Sequence, residues 1–141
     1  MKKIGFVGVG IMGKSMVRNL MKAGFEVSIY TRTKSKVEDV IGEGAIWCDS
    51  VAECAKGRNA VISIVGYPKD VIEVYFGPAG ILANADPGTY VIDMTTTSPK
   101  LAVQIFDEVL QEESWIKIIL QCLGSNIVHL CASCCTGRDG F

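Results

Sequence analysis

Neither sign of charge is in excess in this sequence: fourteen basic side chains stand against fifteen acidic ones, for a net charge of −1 at neutral pH. No basic stripe exists to neutralise a run of phosphates, which argues against nucleic acid as a partner. Histidine occurs once, at His129, so a histidine-based site has a single candidate. No run of about 18 uninterrupted apolar residues occurs, and a membrane span is not expected. Met1-Lys2-Lys3 followed by apolar residues has the outline of a signal peptide. However, Gly5, Gly8 and Gly10 dilute the stretch from Ile4 to Met12, Lys14 interrupts it, and no small-residue cleavage site follows cleanly. A cytoplasmic location is the expectation, and there the six cysteines stay reduced rather than forming a disulfide framework.

What is present is the composition of a globular protein, 49% apolar and 21% charged over 141 residues, enough for the core of one domain. Short apolar runs alternate with helical patterns through residue 111. Lys3–Val7, Glu26–Tyr30, Ala45–Trp47, Ala60–Val65 and Tyr90–Asp93 read as strands. Between them, Ile11–Ala23 repeats apolar residues at helical spacing and ends at Gly24. Thr33 is expected to cap a short helix to about Ile41, and Ser50-Val51-Ala52-Glu53 has the spacing of a capping box. Lys69–Phe76 is a further helix, Asp86-Pro87-Gly88 a turn, and Ser98-Pro99 a helix start. Strands alternating with helices imply a parallel sheet covered on both faces, a doubly wound α/β arrangement in three layers. After about Glu113 the composition changes. Trp115–Leu120 is a candidate sixth strand, and Gln121–Phe141 is cysteine-rich, nearly uncharged and without a clear period.

Gly8-Val9-Gly10-Ile11-Met12-Gly13 is a G-x-G-x-x-G sequence that follows a predicted strand and opens a predicted helix. That context is what a dinucleotide site of the Rossmann type demands. Gly8 permits the tight turn, Gly10 lets a pyrophosphate approach the backbone, and Gly13 lets helix and strand pack closely. The phosphates then rest on the main-chain amides of residues 10–13. A site for NAD wants a carboxylate at the end of the second strand. Here that stretch reads Tyr30-Thr31-Arg32-Thr33-Lys34-Ser35-Lys36. With no acid present, Arg32, assisted by Thr31, Thr33 and Lys36, suits a 2′-phosphate, so NADP is preferred over NAD.

The opening Ile4–Gly13 motif, continued by Met16, Asn19-Leu20 and Lys22-Ala23-Gly24, resembles the N-terminal signature of the β-hydroxyacid dehydrogenases. That family includes 3-hydroxyisobutyrate dehydrogenase, tartronate semialdehyde reductase and glyoxylate reductases. Arg32-Thr33 is similar to the pair in its NADPH-using members. Asp93-Met94-Thr95-Thr96-Thr97-Ser98-Pro99 resembles the segment after the family's fifth strand. The resemblance implies that Thr96 touches cofactor and substrate and that Thr95, replacing the usual serine, contributes to the substrate site. It also implies that Val65-Gly66-Tyr67 passes the cofactor ribose. The implied activity is hydride transfer between nicotinamide and a small hydroxyacid or semialdehyde.

The likeness covers roughly residues 1–111, the expected NADP-binding domain, and then fails. The family's D-x-P-V-S-G-G-like loop has no counterpart in Gln121–Asn126, and its catalytic lysine, followed four positions on by asparagine, is absent because no K-x-x-x-N occurs in the sequence. Residues 112–141 read as an atypical tail, a truncated or frame-shifted remainder of the same domain. Catalytic residues are therefore unknown, and the chain alone is expected to bind cofactor without efficient turnover. Two other readings stand beside this one: a non-catalytic NADP-binding module, and, more remotely, a zinc protein using His129, Cys131, Cys134 and Cys135, which lie too close together to close well around a metal. No metal site is expected. A homo-oligomer formed through exposed apolar surface is compatible with the sequence.

Overall fold

The computed structural model describes residues 2–95, 104, 107 and 117–120, the last four as backbone. Six parallel strands form one sheet: β1 (Lys3–Val7), β2 (Glu26–Tyr30), β3 (Ile46–Trp47), β4 (Ala60–Ser63), β5 (Tyr90–Asp93) and β6 (Lys117–Leu120). Their order is β3-β2-β1-β4-β5-β6. The chain thus builds outward from β1 to one edge, then crosses back and builds outward to the other. The reversal falls between β1 and β4, where open α/β sheets leave a crevice at the strand C-termini.

Strand alternation divides the core. On one face Ile4, Phe6, Val27, Ile29 and Ile62 pack with Val17 of helix α1 (Ile11–Lys22) and Val40 of α2 (Glu38–Gly42). On the other, Val7, Val61 and Val91 pack with Cys54 and Ala55 of α3 (Val51–Ala55). Val71, Val74 and Tyr75 of α4 (Pro68–Phe76) and Ile81 of α5 (Ile81–Asn84) join that second cluster. Both β1 and β2 are covered on both sides: the last four residues of β1 and the middle three of β2 are buried, Ser28 among them. The fold is the expected Rossmann-type doubly wound parallel sheet.

Several local expectations need correction. Thr33 makes no side-chain capping bond, and the predicted helix is split into a 3-10 turn at Lys34–Lys36 and α2, broken at Val37. Val37 is fully buried, so core packing anchors this segment where a cap was expected. Strand β4 stops at Ser63, leaving Ile64 and Val65 to turn toward the crevice. Ser50 does cap α3, accepting from the Glu53 amide at 3.1 Å, but Glu53 reaches back to the Asp49 amide instead of that of Ser50. Helix α5 was not expected. Its four residues are too few to show a period, and Ile81 is held by burial. The helix start expected at Ser98-Pro99 and the cysteine-rich tail lie outside the described residues, whereas β6 pairs with β5 in register Tyr90↔Lys117 to Asp93↔Leu120.

Two details fix the segment after β2. Arg18 of α1 grips Glu43 with two nitrogens (2.8 and 2.7 Å) and reaches Asp39 at 2.9 Å, while Lys14 meets Asp39 at 3.0 Å. These exposed pairs are individually weak but together tie α2 to α1. Lys34 lies 5.3 Å from the centre of the Trp47 ring, which itself packs near Tyr30.

In the middle of β1, a Cβ on Gly5 would collide with the carbonyl oxygen of Cys54, because α3 lies directly against the strand. Overpacking of this kind costs about 3 kcal/mol where backbone must move. Gly42 faces open space at the end of α2 without a left-handed backbone. Urea unfolding should therefore show Gly5→Ala destabilised by about 3 kcal/mol, with Gly42→Ala unchanged or stabilised by about 0.5 kcal/mol; equal midpoints for the two variants would contradict the packing described.

Candidate functional site

The site begins at the joint between β1 and α1. Gly8 has φ +89°, held by its amide donating to the Tyr30 carbonyl at 2.9 Å. A Cβ there would strike the Ile64 carbonyl oxygen, so the turn passes directly against the end of β4. At Gly13 a Cβ would lie 2.9 Å from the Gly8 carbonyl oxygen and 3.3 Å from the Phe6 ring, which is how α1 comes to rest on β1. Gly10 differs from both. Nothing lies within 4 Å of where its Cβ would be, and it caps α1 without any side-chain bond. The first intrahelical bond is Lys14 to the Gly10 carbonyl at 2.9 Å. The amides of Ile11, Met12 and Gly13 thus point out of the helix start beside open space, where an anion fits both their unused donors and the helix dipole. The Ile11 and Met12 side chains are exposed, at 92% and 70%.

A cavity of about 360 Å³ opens from this joint along the C-terminal ends of β1, β2 and β4. Gly8 and Gly10 form its floor, Thr31, Arg32, Thr33 and Lys36 one wall, and Val65 and Gly66 the other. Residues predicted from three separate stretches of sequence therefore line one space, which is within the size of ordinary small-molecule pockets. Tyr67 is exposed at 72% as the N-cap of α4 and is not among the lining residues. Thr96 lies outside the described residues. Sequence reasoning missed Val7, Val9, Ile64 and Val74, and above all Asp70 of α4. Asp70 carried no signal, since an acid in a first helical turn is what the helix dipole favours anywhere.

Asp70 is the chief partner of Arg32. Arg32 Nη2 donates to Asp70 Oδ1 at 2.5 Å and to Glu73 Oε2 at 3.2 Å, across the cavity from β2 to α4. The hydrogen bond to Asp70, followed by its charge, raises the Arg32 pKa above the usual arginine value. Lys36 has no ion-pair partner among the described residues.

Thr95 is held inside the fold. It is 1% exposed, and its hydroxyl accepts from the Val65 amide at 3.0 Å. The Thr95 amide in turn donates to Asp93 Oδ1 at 3.0 Å, and Ser63 donates to the same oxygen at 3.0 Å. The Ser63 and Tyr75 hydroxyls share a hydrogen bond at 2.6 Å. This buried cross-strand network clamps the loop after β4 to the end of β5, so Thr95 supports the cavity wall from behind. Asp93 Oδ2 is buried without a partner among the described residues, and burial raises the carboxyl's pKa above 3.8. Cys48 and Cys54 are buried free thiols beneath β1 and β2. Among the described residues no cluster of His, Cys, Asp and Glu could hold a metal; His129 and the tail cysteines lie outside them. No described helix is long and apolar enough to cross a membrane.

The strand order, the glycine joint and the crevice beside it define an α/β domain that binds a nicotinamide dinucleotide. Residues 3–123 match the model for the NAD binding domain of 6-phosphogluconate dehydrogenase, and the chain belongs to that family. It is 52% identical over 104 residues to the oxidoreductase YkwC of Bacillus subtilis (strain 168), covering 74% of this chain and 36% of YkwC. It is 37% identical over 103 residues to glyoxylate/succinic semialdehyde reductase 1 of Arabidopsis thaliana, covering 73% and 36%. The solved structure of Mycobacterium tuberculosis 3-hydroxyisobutyrate dehydrogenase with L-serine superposes with a TM-score of 0.78 at 25% identity, over 89% of this chain and 42% of that one. The chain spans about a third of the length of these curated relatives.

Because Asp93 is more readily protonated in the folded state than when unfolded, its contribution to stability is full below pH 3.8 and falls as pH rises through its raised folded pKa. Asp93→Asn retains the Oδ1 acceptor for Ser63 and Thr95 and carries no charge to bury. Relative to wild type, its urea midpoint should improve between pH 4 and pH 7; a relative change of zero or of opposite sign would show that the carboxyl is ionised at no cost.

Proposed function

We propose that this chain is the NADP(H)-binding part of an oxidoreductase of the β-hydroxyacid dehydrogenase type, acting on a small hydroxyacid or semialdehyde. The observation that carries the reading is the shared cavity: Arg32 and Lys36 line it together with Gly8 and Gly10, and no carboxylate stands at the end of β2. The unused amides of Ile11, Met12 and Gly13 would hold the diphosphate, with the Ile11 and Met12 side chains covering it, while the Gly10 amide donates to the Gly8 carbonyl at 3.1 Å and shapes the turn. Arg32 and Lys36, with the Thr31 and Thr33 hydroxyls, would hold the 2′-phosphate by charge-assisted bonds. Val65, Gly66 and Tyr67 would follow the ribose, and Thr96 would meet the nicotinamide end and the substrate, with Thr95 behind it. When bound, the cofactor supplies hydride at nicotinamide C4.

A proton must also move, and a positioned acid/base is needed for it. The resemblance assigns that task to a lysine four residues before an asparagine, and no such pair occurs in these 141 residues. This favours a second reading for the polypeptide in isolation, that of a cofactor-binding module without turnover. Lys117 and His129 have nothing in their sequence surroundings to recommend them as substitutes.

Calorimetric titration with NADPH and NADH tests the cofactor assignment. NADPH is expected to bind more tightly, and Arg32→Asp to weaken NADPH by at least about tenfold, leaving NADH within about threefold. Equal losses for the two cofactors would overturn the role of Arg32, and no heat from either would overturn the reading as a whole. In a steady-state assay with NADPH and a semialdehyde, turnover should be negligible; rates near those of full-length dehydrogenases would contradict the missing acid/base.

A further inference from the structure

The guanidinium assigned to the 2′-phosphate is already engaged. Arg32 reaches away from β2 to Asp70 and Glu73 on α4, and Asp70 lines the same cavity that Arg32 does. Asp70 is the more constrained of the two acids, with 15% of its side chain exposed against 71% for Glu73. Its backbone is fixed as well, for the Asp70 amide donates to the Tyr67 carbonyl at 3.0 Å in the first turn of α4. The loop before that turn is clamped to β5 through the Thr95 hydroxyl and the Val65 amide. The carboxylate is thereby presented to the cavity by rigid elements from the side opposite to β2.

We propose that Asp70 is a specificity-determining residue for the cofactor, its carboxylate competing with the 2′-phosphate for Arg32 and so holding down the preference for NADP(H) over NAD(H). This rests on the NADP-binding reading given above. The physical basis is direct. A phosphate dianion placed on Arg32 must displace Asp70 or sit beside it, and either course costs affinity that a ribose hydroxyl does not pay in the same measure. Arg32 is 64% exposed, so its pairing with Asp70 is screened and reversible, and the site tunes preference without closing to either cofactor. Lys36, on the same wall and without an ion-pair partner among the described residues, remains available to a phosphate throughout. The preference is therefore set by a contact between the second strand's end and the fourth helix, 38 residues apart.

The test is fluorescence titration of wild type, Asp70→Asn and Glu73→Gln with NADPH and NADH, with thermal melts to check the fold. Asp70→Asn should tighten NADPH by about tenfold while NADH stays within about twofold or weakens. Glu73→Gln, which changes a longer and more exposed contact, should produce a smaller shift in the same direction. Unchanged NADPH affinity in Asp70→Asn, or an equal gain for both cofactors, overturns the proposal while leaving the NADP-binding reading standing. If the wild type binds neither cofactor, that underlying reading fails and the proposal with it. Should Asp70→Asn melt early, Asp70→Ser and Glu73→Gln carry the same comparison, and an unchanged NADPH-to-NADH ratio in folded variants overturns it.

Discussion

The joint between β1 and α1 is built by backbone meeting backbone. The Gly8 turn lies against the Ile64 carbonyl, and Gly13 lies against the Gly8 carbonyl, at distances that leave no room for a Cβ. Close approach on these two sides has a consequence on the third. It holds the start of α1 at the point where the sheet order reverses, with three helical amides facing a crevice that Gly10 leaves open. The dipole of a 12-residue helix and its unused donors are then aimed at one place. Without that approach, α1 would stand off the sheet and the same residues would form a turn with no cavity.

The rest of the site is arranged around this joint by two kinds of support. On the β2 side, the Lys34–Lys36 turn is held by buried Val37, by Lys34 over Trp47 and by the ion pairs that fasten α2 to α1. On the β4 side, the loop is held by polar contacts within the core, Ser63, Tyr75, Asp93 and Thr95 linking strand to strand. The two supports differ in their chemistry. Exposed ion pairs give a wall that salt can loosen, whereas a buried network that includes a carboxyl gives a wall that ionisation can strain. The cavity therefore has an adaptable side carrying charge and a stiff side carrying backbone.

Much of this was legible in the sequence because the strongest signals are local. Strand β1 is a compact apolar run ending in glycine, β2 and β5 follow the Gly24 helix stop and the Asp86-Pro87-Gly88 turn, and the observed limits of all three are those expected. The G-x-G-x-x-G joint and the Thr31–Lys36 segment are contiguous in sequence, so their contribution to one cavity follows from adjacent strand ends. What was not legible depends on distant pairing. Nothing near Asp70 announces that it meets Arg32, because that contact exists only once α4 is laid over the sheet. Thr95 reads as a free hydroxyl after a strand, yet the Asp93 network beneath it turns the hydroxyl toward Val65. The helix predicted from Thr33 failed for a related reason, since burial of Val37 outweighs a capping bond that the backbone never forms.

The central claim is that a dinucleotide's diphosphate rests on the first amides of α1. Amide resonances of isotopically labelled protein, followed by NMR during titration with NADP+, report that contact residue by residue. The account predicts large, saturable shifts at Ile11, Met12 and Gly13, with the Arg32 side-chain resonance moving at the same midpoint. Saturable binding that leaves those three amides in place would contradict it.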